Sequence, residues 1–66
     1  MITISVNGET RESSAATVTG LVAEMGLPAP LLLVELNGVA LTKSEWTDAV
    51  LRDGDRIEIL RISAGG

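Results

Sequence analysis

Two glycines, Gly65 and Gly66, end the 66-residue sequence, and they are its clearest chemical feature. A Gly-Gly peptide is unbranched and adopts backbone angles closed to other residues. A carboxylate at Gly66 would be unhindered and able to enter a channel too narrow for side chains. At average usage, with Gly near 7%, two terminal glycines arise by chance in roughly one chain in 200. The competing reading is a terminus with no reason to pack, common in small domains.

Other chemistry-bearing groups are sparse. Glu45 and Asp48 are three apart and can share one face of a turn. Asp53 and Asp55 flank Gly54, but a calcium loop needs about a dozen residues with ligands at fixed positions and a closing Glu. The segment Asp53-Gly54-Asp55 reads instead as a solvated turn. Ser13, Ser14, Ser44 and Ser63 have no histidine to activate them, because the chain contains no His and no Cys. This composition removes a disulfide framework, a thiolate or imidazole metal site, a cysteine nucleophile and a histidine general base. No catalytic residue, metal site or bound cofactor is expected.

The five Lys and Arg against nine Asp and Glu give a net charge of -4, and Trp46 is the only aromatic residue. Nucleic-acid binding needs a basic stripe or stacking aromatics, so it is not expected. Acidic faces call for partners with basic ones. The longest apolar stretch, Leu27 to Val34, is broken by Pro28 and Pro30 and is far short of the roughly 20 residues that span a bilayer. Met1 leads directly into an alternating pattern with no basic segment and apolar run of the signal-peptide kind. A cytoplasmic location away from membranes is the expectation.

The elements that must position any site follow from periodicity. Ile2, Ile4 and Val6 alternate with polar residues, the period of a half-buried strand. Asn7-Gly8 suits a type I′ turn, so Glu9 to Ser13 returns as a polar edge strand. From Ser14 to Gly26 the period changes: Val18, Leu21, Val22 and Met25 share one helical face. Thr17 is placed to cap the helix, and Gly26 with Pro28 to stop it. Gly20 inside the helix costs roughly 1 kcal/mol relative to Ala, and the expected reason is close packing of the helix on a sheet. Leu31 to Leu36 is an apolar run suited to an interior strand, and Asn37-Gly38 turns it into a short strand from Val39 to Leu41. Between Thr42 and Leu51, Ser44 can cap a single turn carrying Glu45 and Trp46, with Val50 and Leu51 anchoring the segment to the core. After the Asp53-Gly54 turn, Arg56 to Ile62 is the last strand.

With about 60% of the unfolded surface to bury and no covalent staple, a chain of this length depends on aliphatic packing. The apolar share of 45% permits it. The compact solution is α+β: a mixed sheet of about five strands in the order 2-1-5-3-4, with one main helix packed on one face. This is the β-grasp, ubiquitin-like layout. Residues 1–62 form the single domain, and 63–66 a flexible tail leaving the sheet from a central strand. If Ile57 and Ile59 face the helix, Leu60 and Ile62 face outward, as does Leu33 on the neighbouring strand. Leu33, Leu60 and Ile62 then form an apolar partner-docking patch near the root of the tail.

Specific motifs carry a resemblance as well. Val34-Glu35-Leu36-Asn37-Gly38, Lys43-Ser44-Glu45-Trp46, the run Leu51-Arg52-Asp53-Gly54-Asp55-Arg56-Ile57-Glu58-Ile59-Leu60 and the terminal Gly65-Gly66 resemble the ThiS family of sulfur carriers in thiamine biosynthesis. The opening Ile4-Ser5-Val6-Asn7-Gly8-Glu9 fits as well, so the resemblance covers nearly the whole chain. It departs at Leu41-Thr42, where many relatives have a proline, and at Gly20. The resemblance implies a carrier that is not itself an enzyme. An E1-like adenylyltransferase would use ATP to convert the Gly66 carboxylate into an acyl-adenylate. Sulfur from a cysteine desulfurase would displace AMP, leaving a terminal thiocarboxylate, and thiazole synthase would take that sulfur. Gly65 and Gly66 would be the segment that enters the partners' active sites. Two alternatives share this layout and tail: a molybdopterin synthase small subunit, and a ubiquitin-like modifier that forms isopeptide bonds. A plain binding domain remains the alternative of a different class.

Overall fold

The computed structural model describes residues 1–62, and the expected tail, Ser63 to Gly66, lies outside the described residues. Along the chain run β1 (Ile2–Val6), β2 (Glu9–Ser13), α1 (Val18–Glu24), a 3-10 turn (Ala29–Leu31), β3 (Leu32–Leu36), β4 (Val39–Leu41), α2 (Lys43–Trp46) and β5 (Arg56–Arg61). The five strands form one sheet in the order β2-β1-β5-β3-β4. β1 and β5 run parallel, and every other neighbouring pair is antiparallel. Sheet order and mixed pairing are as the sequence pattern predicts.

Both hairpins close through their Asn-Gly dipeptides. Asn7 and Asn37 each have φ 51°, and Gly8 and Gly38 have φ 83° and 85°. Two successive positive-φ residues are the requirement of a type I′ turn, whose twist matches that of the flanking strands. The helix starts where its cap is: Thr17 is extended, and its hydroxyl oxygen accepts the Gly20 N–H at 3.2 Å. It ends at Glu24 with Met25 as its C-cap, and Gly26, at φ 68°, turns the chain out of the helix.

One face of the sheet and one face of α1 enclose the core. Ile4 and Val6 of β1, Leu32 and Val34 of β3, and Ile57 and Ile59 of β5 point inward against Val18, Leu21 and Val22. Trp46 and Leu51, from the long connection before β5, close one side of this cluster. Lys43 lies over the Trp46 ring at 5.3 Å from its centroid, a cation-π contact on the outer rim of the same group.

Four local readings are corrected. Thr42, not Ser44, caps α2, because Glu45 stands three residues beyond it and its Oε1 accepts the Thr42 main-chain N–H at 2.7 Å. Leu31 belongs to the 3-10 turn, with its N–H donating to the Pro28 carbonyl, so β3 begins one residue later. Val50 does not anchor the connection: it is half exposed, bridging Thr17 through its main chain, while Leu51 is buried. Gly20 does not sit against the sheet. A methyl group there would meet only Ala15 and Thr17 at 3.5 and 3.6 Å, ordinary contact distances. The helix therefore bears the entropic cost of glycine with no packing return, and Gly20→Ala should stabilise the protein by roughly 0.5–1 kcal/mol, read from the urea midpoint.

Glu24 ties the end of α1 to the end of β2. Its carboxylate accepts Ser13 Oγ–H at 2.9 Å and the Ser14 N–H and hydroxyl at 3.2 Å each, with Arg11 Nη2 at 3.4 Å. These donors, Ser13 first, hold its pKa below the ordinary glutamate value. A depressed folded pKa contributes stability that is complete above the unfolded value of about 4.5 and is lost as pH falls through the folded one. Urea midpoints at pH 7 and pH 3 should therefore differ more for the parent chain than for Glu24→Gln.

Candidate functional site

The face of the sheet away from α1 carries three exposed apolar residues, Leu33, Leu60 and Ile62. Direct opposition in the β3-β5 ladder sets Leu33 against Leu60 and Glu35 against Glu58. Residues two apart share a face, so Leu60 and Ile62 lie on the same side as Glu58, while Ile57 and Ile59 point into the core. Leu33, Leu60 and Ile62 are 54%, 63% and 42% exposed. The structure thus brings the three sequence-selected residues together on the open face, at the end of β5 from which the chain continues. Ile62 is still tied to the sheet, its N–H donating to the Leu31 carbonyl at 2.6 Å. The other expected site residues, Gly65 and Gly66, lie outside the described residues.

Beside this patch is a mostly apolar hollow of about 100 Å³, bounded by Leu33, Glu35, Ala40, Glu58 and Leu60. It exists because Ala40, opposite Glu35 on β4, has too small a side chain to fill the space between larger neighbours. Two carboxylates border it. Glu35 and Glu58 are exposed, directly opposed and in no ion pair among the described residues. Like charges in that position repel. The hollow is therefore suited to an apolar side chain accompanied by a cation.

These features were only partly visible in the sequence. The Leu33, Leu60 and Ile62 phase follows from period two, but the opposition of Glu35 to Glu58 depends on the register between two strands whose opposed residues lie 23 positions apart in the sequence. The Asp53-Gly54-Asp55 turn is not merely solvated: Asp53 Oδ1 accepts the Thr3 N–H at 2.7 Å, and Asp55 Oδ2 the Arg52 N–H at 2.8 Å. These carboxylates serve the entry into β5. Glu45 is likewise committed to its helix cap, which holds its pKa low through the bonds from Thr42. Among the described residues no helix is long and apolar enough to cross a membrane.

Residues 4–66 match the sequence profile of the ThiS family. A thiazole synthase of Paramagnetospirillum magneticum is 37% identical over 62 residues, but that match spans 92% of this chain and only 19% of the relative. A sulfur carrier protein ThiS of Thermus thermophilus is 36% identical over 61 residues, 92% of this chain and 95% of the relative. Among solved structures, the thiamine biosynthesis protein (ThiS) from Geobacter metallireducens matches with a TM-score of 0.84 and 30% identity, over 98% of this chain and 100% of that one.

Relief of the carboxylate repulsion gives a test of the open face. Glu58→Gln should stabilise the isolated protein by about 0.2–1 kcal/mol in denaturant unfolding at low salt, with the gain shrinking as salt is added.

Proposed function

The chain belongs to the ThiS family of sulfur carriers in thiamine biosynthesis, and on that premise we propose that its sulfur rides on the carboxylate of Gly66. The near end-to-end likeness to the Thermus thermophilus sulfur carrier supports this reading most directly. The exit of the chain from β5, beside an exposed apolar patch, is consistent with it.

In this mechanism the protein is a co-substrate, and its partners supply the catalysis. An E1-like adenylyltransferase joins the Gly66 carboxylate to the α-phosphate of ATP and releases pyrophosphate. The mixed anhydride that results is an activated acyl group with AMP as its leaving group. The terminal sulfur of a persulfide, formed by a cysteine desulfurase, attacks the carbonyl carbon and AMP departs. A thiol then attacks the donor's sulfur and cleaves the S–S bond carried over from the persulfide, leaving a thiocarboxylate on Gly66 and a disulfide on the donor side. Thiazole synthase consumes that sulfur, and the carboxylate returns. The likeness to a thiazole synthase over nearly all of this chain supports that assignment of the consuming enzyme.

Each part of the chain has a role in this scheme. Gly65 and Gly66 supply a tail with no side chains to obstruct entry into two different active sites. Leu33, Leu60 and Ile62 form the docking patch, where apolar burial supplies affinity and the Glu35-Glu58 pair favours a basic rim on the partner. Both partners take the same tail, so they compete for the carrier. The cytoplasm, where these enzymes and ATP are found, is the location that fits the scheme.

Intact-mass measurement after incubation with the adenylyltransferase, ATP and a persulfide source tests the proposal. The expected result is the mass gain of one oxygen-to-sulfur exchange, absent when Gly66 is deleted and slowed by Leu60→Ser. Conjugates of higher mass on a denaturing gel would point to a modifier. Loading that persists without Gly66 would overturn the scheme.

A further inference from the structure

Strand β5 leads to the tail, and its two edges are held unequally. Toward β3 it is paired from Ile57 to Arg61, and Ile62 adds a bond to Leu31. Toward β1 the pairing stops at Val6 and Ile57, because the chain turns away at Asn7-Gly8. Main-chain groups that face β1 occur at alternate residues of β5. The Asp55 and Ile57 carbonyls accept the Ser5 and Asn7 N–H groups, so Ile59 is next on that edge, beyond the last residue of β1.

The Asn7 side chain occupies this place. Its Oδ1 accepts the Ile59 N–H at 2.7 Å, and its Nδ2 donates to the Ile59 carbonyl at 3.1 Å. One carboxamide thus satisfies both main-chain groups of Ile59 on that edge, which a continuing parallel strand would pair with two different residues. Few residues satisfy both demands of the position. The backbone needs φ 51°, tolerated by Gly and Asn, and the side chain must offer a donor and an acceptor together. Asn37 stands in the same type of turn but serves the opposite end of β5, its Oδ1 accepting the Arg56 N–H and its Nδ2 donating to Asp55.

We infer that Asn7 is a positioning residue for sulfur loading: its carboxamide, acting as a substitute strand residue on Ile59, sets the direction in which β5 delivers the tail to a partner's active site. The inference rests on the reading of Gly66 as the sulfur-bearing terminus. Asn7 touches no reacting atom. It acts through Ile59, three residues before the last described position and seven before Gly66. Displacement of a reacting group by about 1 Å can cost on the order of 100-fold in rate, and Ile59 lies on the strand whose end fixes where the tail begins.

Steady-state loading of the full chain by the adenylyltransferase, with a persulfide source, separates positioning from folding. Asn7→Gly keeps the turn conformation and removes the clamp, while Asn37→Gly makes the same change at the remote turn. Asn7→Gly should lower kcat roughly tenfold with little change in KM, because the docking patch is untouched. The Ile59 amide should exchange faster with deuterium in that variant. Asn37→Gly should keep kcat within about twofold of the parent chain. Asn7→Asp, which retains the acceptor but not the donor, should shift kcat in the same direction as Asn7→Gly and serves as the second variant if Asn7→Gly does not fold. Equal kcat losses in the Asn7 and Asn37 variants, or an unchanged kcat in the Asn7 variants, would overturn the inference while leaving the carrier reading intact. Failure of the parent chain to gain sulfur would instead overturn the carrier reading, and this inference with it.

Discussion

The pairing of β5 between a parallel neighbour, β1, and an antiparallel one, β3, is the interaction on which the rest of the molecule depends. Parallel neighbours cannot be joined by a tight turn, so the chain must leave the sheet after the first hairpin and cross over through α1. Crossing places Val18, Leu21 and Val22 over the strands, and the same step buries Ile57 completely. The later hairpin then packs β3 against the free edge of β5. Without a disulfide, this arrangement supplies the one core that so short a chain has.

Side chains finish what the backbone ladders leave open. Asn7 and Asn37 hold β5 from opposite edges and near opposite ends, each using a residue already required for its turn. Asp53 and Asp55 order the entry into the same strand by accepting the Thr3 and Arg52 amides. Glu24 secures the crossover by joining α1 to the end of β2. The last strand is thus heavily constrained up to Ile62, where the chain continues toward the tail. A root held this firmly, ahead of a terminus of small residues, suits the proposed delivery of the Gly66 carboxylate.

Much of the fold was legible because it rests on local rules. Period-two strands, a helical face at i, i+3, i+4 and i+7, and two Asn-Gly turns are written in adjacent residues, and the sheet order follows from how few ways they close around one helix. The misreadings have local causes too. Ser44 and Thr42 are both plausible caps, and the choice was made by Glu45 at the right distance from Thr42. Val50 and Leu51 are both apolar, and only one of two adjacent residues in extended chain can face the core. Gly20 invited a packing explanation that its neighbours do not require.

By itself the sequence determined which residues alternate, which share a helical face and where the turns fall, because those follow from the geometry of neighbouring residues. It also pointed to Gly65-Gly66 and to Leu33, Leu60 and Ile62 as an outward-facing set, and its motifs pointed to the family. Only the tertiary structure decided that Glu35 opposes Glu58, that Ala40 leaves a hollow beside them, and that Asn7 reaches Ile59 across 52 positions of chain. These contacts depend on strand register and on where β1 stops. Register is a property of two distant segments at once, and no local pattern contains it.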